Sequence, residues 1–241
     1  MKRAYLSIIF LFLSLSLAAS EELAAIEVIL LFGENLERLS DYQCRMYEWS
    51  VKGKKEEFRY INFYYRAPRL IRMDIIKGNR SGDTGSIGVL REDGKVRGRK
   101  GGILSPFAVT VDKNSALATT IRGVTFDESD ALAAYSRLLF LIDNSAMALM
   151  EDERGWLFDC RLFEEDEGIT REVLFIGKDD FMPLYTKSYE NENLVQFVEW
   201  SSYIINKGLP VELFNVRYKA EKLNDLNIDN NIGLDLDLKY E

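Results

Sequence analysis

From residue 23 onward the apolar positions Ile29, Phe32, Leu36 and Leu39 recur at i, i+3, i+7 and i+10, while Glu34, Glu37 and Arg38 fall off that line. The spacing predicts an amphipathic helix over Leu23–Leu39. After Ser40 the period shortens toward two, broken by turn signals at Gly53-Lys54, Ala67-Pro68, Gly78-Asn79, Asp93-Gly94 and Gly101-Gly102. This predicts an antiparallel meander with strands near Asp41–Val51, Glu56–Arg66, Arg69–Ile76, Ser86–Arg91 and Lys95–Lys100. A second helical stretch opens at TFDESD, where Thr125 and Glu128 have capping-box spacing, and Leu132, Tyr135, Leu139 and Ile142 form its expected stripe, ending near Asn144. Four further strands follow, near Trp156–Phe163, Arg171–Ile176, Met182–Tyr189 and Leu194–Ile205, separated by EEDEG, GKDD and ENEN.

The faces of these strands matter more than their number. In Glu56–Arg66 one parity carries Phe58, Tyr60 and Tyr64 and the other Ile61, Phe63 and Tyr65, so both faces are apolar; Arg69–Ile76 is one-sided, with Arg72 and Asp74 opposite Ile71, Met73 and Ile75. Two helices are too few to cover both faces of about nine strands. The expected fold is therefore α+β, a curled antiparallel sheet forming a half-open barrel whose concave face is covered by helices.

The start of the chain changes where this fold would work. Lys2 and Arg3 precede an uncharged run from Ala4 to Leu17, and Ala18-Ala19-Ser20 places small residues before Glu21. Residues 1–20 read as a secretory signal peptide, residues 21–216 as one domain and residues 217–241 as a polar tail. Nothing after residue 20 is long and apolar enough to span a bilayer, so the expected product is exported and soluble outside the cytoplasm, which the resemblance given below places in the periplasm. Taking Lys2 and Arg3 from the 31 basic residues leaves 29 against 39 acidic ones, a poor balance for nucleic acid or for an anionic membrane surface. An oxidising compartment and just two cysteines lead to an expected Cys44–Cys160 disulfide, with two separate buried thiols as the alternative.

Composition also narrows the chemistry. With no histidine in 241 residues, Ser-His-Asp and Cys-His sites and imidazole metal ligands are excluded, and two cysteines rule out a Cys₄ centre. Glu164-Glu165-Asp166-Glu167 is a turn rather than a pair of opposed catalytic acids. Asp225, Asn227 and Asp229 begin a calcium-loop pattern that fails at Asn230 and Leu236. No catalytic residue, metal site or cofactor is expected.

At FYYRAPRLIRM, Phe63 to Met73, a long strand ends in a basic residue and a proline before a second strand of alternating apolar and basic residues. Together with DYQCRMYEWSVKGKK, EDGKVRG and the closing run from Asp180 to Pro210, with Asn206, Pro210 and Phe214 at its end, this resembles the periplasmic lipoprotein carriers of the LolA and LolB type and their relative RseB. The resemblance covers roughly Glu22 to Phe214. It implies an apolar cavity between sheet and helices that takes the acyl chain of a lipid or lipoprotein. It also implies a latch arginine ahead of the proline; Arg66 matches that position, with Ala67 intervening. Either parity of the second strand could line the cavity; the chosen lining is Ile61, Phe63 and Tyr65, with Arg66 as latch. A second function for the same fold is an envelope sensor or structural module that binds a protein partner, for which a filled core and a surface apolar patch would speak.

Overall fold

The computed structural model describes residues 24–102 and 107–218; the signal peptide, the calcium-loop pattern and nearly all of the polar tail lie outside these residues. A helix over residues 24–37 (α1) is followed by strands β1 (Asp41–Lys52), β2 (Lys55–Arg66), β3 (Leu70–Gly78), β4 (Ile87–Leu90), β5 (Lys95–Arg99) and β6 (Ala108–Asp112). Helix α2 (Ala131–Asn144) precedes β7 (Ser145–Glu151), β8 (Gly155–Asp166), β9 (Ile169–Gly177), β10 (Pro183–Glu190) and β11 (Asn193–Ile205). The eleven strands make one antiparallel sheet in the order β6-β5-β4-β3-β2-β1-β11-β10-β9-β8-β7. Thus β1 and β11 form the central seam, and β6 and β7 are the two edges.

Two strands exceed the nine read from periodicity, and each has a reason. The SAMALME sequence of β7 runs straight on from α2 and is built of good helix formers, so its local propensity hides the strand. Strand β6 is a short edge strand with Val109 and Thr110 exposed, so it lacks the clear apolar alternation of an inner strand. The helix stripe also needs correcting. The buried residues of α2 are Ala131, Ala134, Leu138 and Leu141, the expected spacing moved by one position, or about 100° around the axis. Asp130 caps this helix by accepting from the Ala133 amide at 2.7 Å, while Thr125 and Glu128 close a separate single turn, with the Thr125 amide donating to Glu128 at 2.6 Å.

One face of the sheet carries the main core. Tyr42, Met46, Ile61, Phe63, Tyr65, Ile71, Met73, Phe158, Leu174, Ile176 and Trp200 pack there with Ile29, Phe32 and Leu36 of α1 and the buried stripe of α2. On the back face Tyr64 packs against Leu209 and Leu213 of the closing segment. Arg72, expected on a half-exposed face, is 1% exposed. Its Nε and Nη2 donate to Asp74 at 2.6 and 2.9 Å, and its remaining N–H groups reach the carbonyls of Leu213, Asn215 and Tyr218 at 2.6, 3.1 and 3.1 Å. All five donors of the guanidinium are used, which is what permits its burial. At the other end of that segment Asn206 accepts from the Ser40 amide at 2.8 Å and donates to the Arg38 carbonyl at 3.3 Å, joining the end of β11 to the end of α1.

The disulfide is overturned: Cys44 and Cys160 are free, buried thiols. Both belong to the core under the helices, but β1 and β8 are separated by β11, β10 and β9. Four strand spacings amount to about 19 Å along the sheet, far beyond the Cα separation of about 4.4–6.8 Å that a disulfide allows. Burial pushes the Cys160 thiol up to about 12 and raises Cys44 as well, so neither is a ready nucleophile.

Two outcomes follow from this packing. Denatured, unreduced protein should titrate two thiols per chain, and finding none would contradict the strand order. Replacing Arg72 by methionine should cost about 3 kcal/mol, because it strips Asp74 and three carbonyls of their partner at once. Denaturant midpoints measure this, and adding Asp74→Asn should recover part of the loss.

Candidate binding face

The helix-bearing face is built from one parity of each strand. On β2 that parity brings Ile61, Phe63 and Tyr65 into the core, at 1%, 0% and 3% exposure. Tyr42 of β1 lies beside them, with ring centroids 5.7 Å from Phe63 and 5.1 Å from Tyr65, both stacked. Its hydroxyl accepts from the Ala131 amide at 3.1 Å, so the sheet touches the first turn of α2 directly. The two helices meet where Phe32 packs edge-on against Tyr135 at 5.4 Å. Gly33 is required there, since a Cβ at that position would lie 2.6 Å from the Tyr135 hydroxyl oxygen.

Alternation sends the next residue of β2 the other way. Arg66 shares its parity with Tyr64, and its Nη1 donates to the Leu209 carbonyl of the back-face segment. The arginine that reaches α2 is Arg69, beyond the proline. Its Nε and Nη2 donate to the two carboxylate oxygens of Asp130 at 3.0 and 3.2 Å, and Nη2 also donates to the Asp127 carbonyl at 2.6 Å. Asp130 therefore caps α2 and receives a two-point arginine contact. Burial raises its carboxyl above the ordinary value, with Arg69 opposing the shift.

Toward the β1–β2 turn the same face becomes polar. Glu57, 1% exposed, accepts from Arg59 at 2.5 Å, from Arg80 at 3.2 Å and from the Ile121 amide at 3.1 Å. Arg80 also donates to the carbonyls of Thr119 and Ala116, at 3.1 and 3.3 Å, and Arg122 donates to the Val51 carbonyl at 2.8 Å and to Glu190 at 2.5 Å. Hydrogen bonds to backbone groups and the Arg122–Glu190 ion pair hold the segment before α2 onto the sheet here, beside the buried Ala118. Beside them a pocket of about 720 Å³ opens between that segment, the first half of α2 and strands β1, β11, β10 and β9. Glu48, Arg122, Arg137, Glu172, Glu190 and Trp200 are among its walls. The sequence reading missed this pocket. A signal existed: along each strand's inner parity, apolar residues give way to polar ones at one level, as in Tyr42-Cys44-Met46-Glu48-Ser50 and Tyr65-Phe63-Ile61-Arg59-Glu57.

Among the described residues, no three His, Cys, Asp or Glu side chains are grouped to hold a metal ion, and no helix is long and apolar enough to cross a membrane. No family model and no curated protein matches the chain. Solved structures do. An uncharacterized conserved protein from Thermus thermophilus superposes with a TM-score of 0.50 at 15% identity, covering 82% of this chain and 96% of that one. A LolA superfamily protein from Nitrosomonas europaea gives a TM-score of 0.37 at 8% identity over 73% of this chain and 90% of its own. The Mycobacterium tuberculosis lipoprotein LppX gives 0.44 at 9% identity over 79% and 97%. At 15% identity the likeness to the Thermus protein concerns the fold alone.

Burial sets a pH dependence on this face. The Glu48 carboxyl is raised from its ordinary value of 4.5 by desolvation, with Arg59 opposing. A carboxyl raised by folding contributes stability that is fully present below its unfolded value and lost as pH rises through the folded one. Wild type should therefore gain stability relative to Glu48→Gln as pH falls from 7 to 4. Paired denaturation midpoints across that range check it; a flat or opposite difference would show that Glu48 is not desolvated.

Proposed function

We propose that the protein is a non-enzymatic binding protein of the cell envelope, acting in the periplasm after loss of residues 1–20. In this reading the sheet curls into a half-open barrel under α1 and α2, and its inner face takes the acyl chain of a lipid or lipoprotein. The observation that carries it is the single apolar cluster joining both helices to one face of the sheet. That space is filled by the protein's own side chains, so binding requires α2 to lift.

The magnitudes allow such an exchange. A sixteen-carbon chain gains on the order of 12 kcal/mol on leaving water, at ~0.8 kcal/mol per methylene. Lifting α2 uncovers Ala131, Ala134, Leu138 and Leu141, about 5 kcal/mol, together with the partly buried Leu132 and Tyr135 and the sheet residues beneath them, which brings the cost to the same order as the gain. Ile61, Phe63 and Tyr65 are the proposed lining. Arg69 is the proposed latch, through Asp130, and Arg66 is assigned to anchoring the back-face segment.

A second reading, a module of the same fold that docks a protein partner, is favoured by the filled core and by apolar residues facing solvent on both helices: Ile26, Leu30 and Leu31 on α1, and Leu139, Phe140 and Ile142 on α2. A fluorescent fatty acid separates the two. The carrier reading expects micromolar binding to delipidated protein, with uptake accelerated in Arg69→Ala and unchanged in Arg66→Ala. Failure of both wild type and Arg69→Ala to bind rejects the carrier in favour of the docking module.

A further inference from the structure

Strand β6 ends the sheet on one side among the described residues, and its inward parity is incompletely covered. Val96 of β5 and Val111 of β6 pack on the main core, so Val109, two residues before Val111, lies on the same helix-bearing face. Its partner across β5 is Gly98, which offers no side chain, and Val109 is 54% exposed. The other parity of β5 is a row of cations, Lys95, Arg97 and Arg99, opposite Asp112, Thr110 and Ala108 of β6. Asp112 answers Lys95, but Asp74, the carboxylate whose charge Arg99 favours, is already held by two hydrogen bonds from Arg72. Thr110 and Ala108 are short, and an arginine side chain is longer than one strand spacing, so Arg97 and Arg99 can reach across them to the open side of β6.

The chain itself contains a sequence that fits this edge. Residues 232–240 alternate without a break, with Ile232, Leu234, Leu236, Leu238 and Tyr240 on one parity and Gly233, Asp235, Asp237 and Lys239 on the other. Such a period-two pattern is that of a half-buried strand, although it lies within the segment whose overall composition is polar. Its distance from the edge also fits. The described chain ends at Tyr218, whose carbonyl accepts from Arg72 of β3 at 3.1 Å. A strand added outside β6 would lie four spacings from β3, about 19 Å, and residues 219–231 reach about 43 Å when extended. The corresponding place outside β7 is eight spacings away, about 38 Å along the sheet and close to the limit of that reach.

We propose that residues 232–240 add a further strand to the open side of β6, antiparallel to it, with Leu236 opposite Val109. Leu234 then lies beside Val111, while Asp237 and Asp235 lie beside Ala108 and Thr110, each one short side chain away from Arg99 and Arg97. Gly233 falls opposite Asp112, where a second carboxylate would be repelled. The added strand covers Val109 and takes up edge backbone groups that would otherwise recruit another chain. This pairing does not depend on what the helix-bearing face binds.

Cysteine pairs in the full exported chain test it, because residues directly opposite in antiparallel strands are about 4.5–5.5 Å apart, within the reach of a disulfide, and the native Cys44 and Cys160 are buried. Under mild oxidation Val109→Cys/Leu236→Cys should close within one chain about tenfold faster than either control pair. The controls are Val109→Cys/Asp235→Cys, whose second thiol has the wrong parity, and Leu149→Cys/Leu236→Cys, which probes the β7 edge. Adding Arg97→Glu and Arg99→Glu should slow the first pair. In a separate measurement, Leu236→Pro should raise hydrogen exchange at the outward amides of residues 108–112 about tenfold while leaving β1 unchanged. Equal rates for the three pairs, a faster β7 pair, no bond at all, or unaltered exchange overturns the proposal. A disulfide-linked dimer from the first pair assigns the segment to a second copy and overturns pairing within one chain. Failure of fatty-acid binding moves none of these readouts.

Discussion

The structure depends on one topological constraint. Because β1 pairs with β11, the two halves of the chain meet at the centre of the sheet, and β6 and β7, which are consecutive in sequence, lie at opposite edges. Residues 113–144 must cross the sheet, ten strand spacings or about 48 Å if it were flat. What covers the helix-bearing face is set by that crossing. Its first part carries few large apolar side chains and is held by Glu57, Arg80 and Arg122; its second part is α2, held by an apolar stripe. A dry core and a polar pocket under one crossing segment result from this division of labour.

Arg69 and Asp130 stand at the change from one mode of attachment to the other. The carboxylate serves the helix as its cap and the sheet as an anchor, so one side chain both starts α2 and ties its first turn to the sheet. Exposed surface ion pairs contribute little because water competes for both partners. Here the carboxylate is buried and the guanidinium engages two of its oxygens and a neighbouring carbonyl, which gives the contact geometric specificity.

Most strands were legible because alternation and turn residues agree; which parity of the second strand meets the helices was not, because both are apolar, and the structure puts Ile61, Phe63 and Tyr65 there. Placing Arg66 on that face was an inconsistency the sequence already contained, since a residue adjacent to Tyr65 in a strand points the other way. The hidden strand β7 and the one-residue rotation of α2 have a common origin. Alanine-rich segments carry weak directional signals, and the large side chains of Leu139 and Ile142 outweigh Ala131 and Ala134 in any periodicity reading although the alanines are the ones that fit against the sheet. Arg72 was unreadable for another reason: its partners come from a segment some 140 residues away.

The central seam has a consequence for how the protein is made. Tyr42 pairs with Ile205, so the first strand waits for nearly the whole chain before its second neighbour exists, a highly non-local contact of the kind that slows folding. During that interval β1 is a twelve-residue strand with one bare edge and mostly buried side chains, the kind of surface that recruits strands from other molecules. Any chain that stops short of β11 keeps that edge open permanently, and truncated forms are thereby committed to aggregation rather than to a smaller version of the fold.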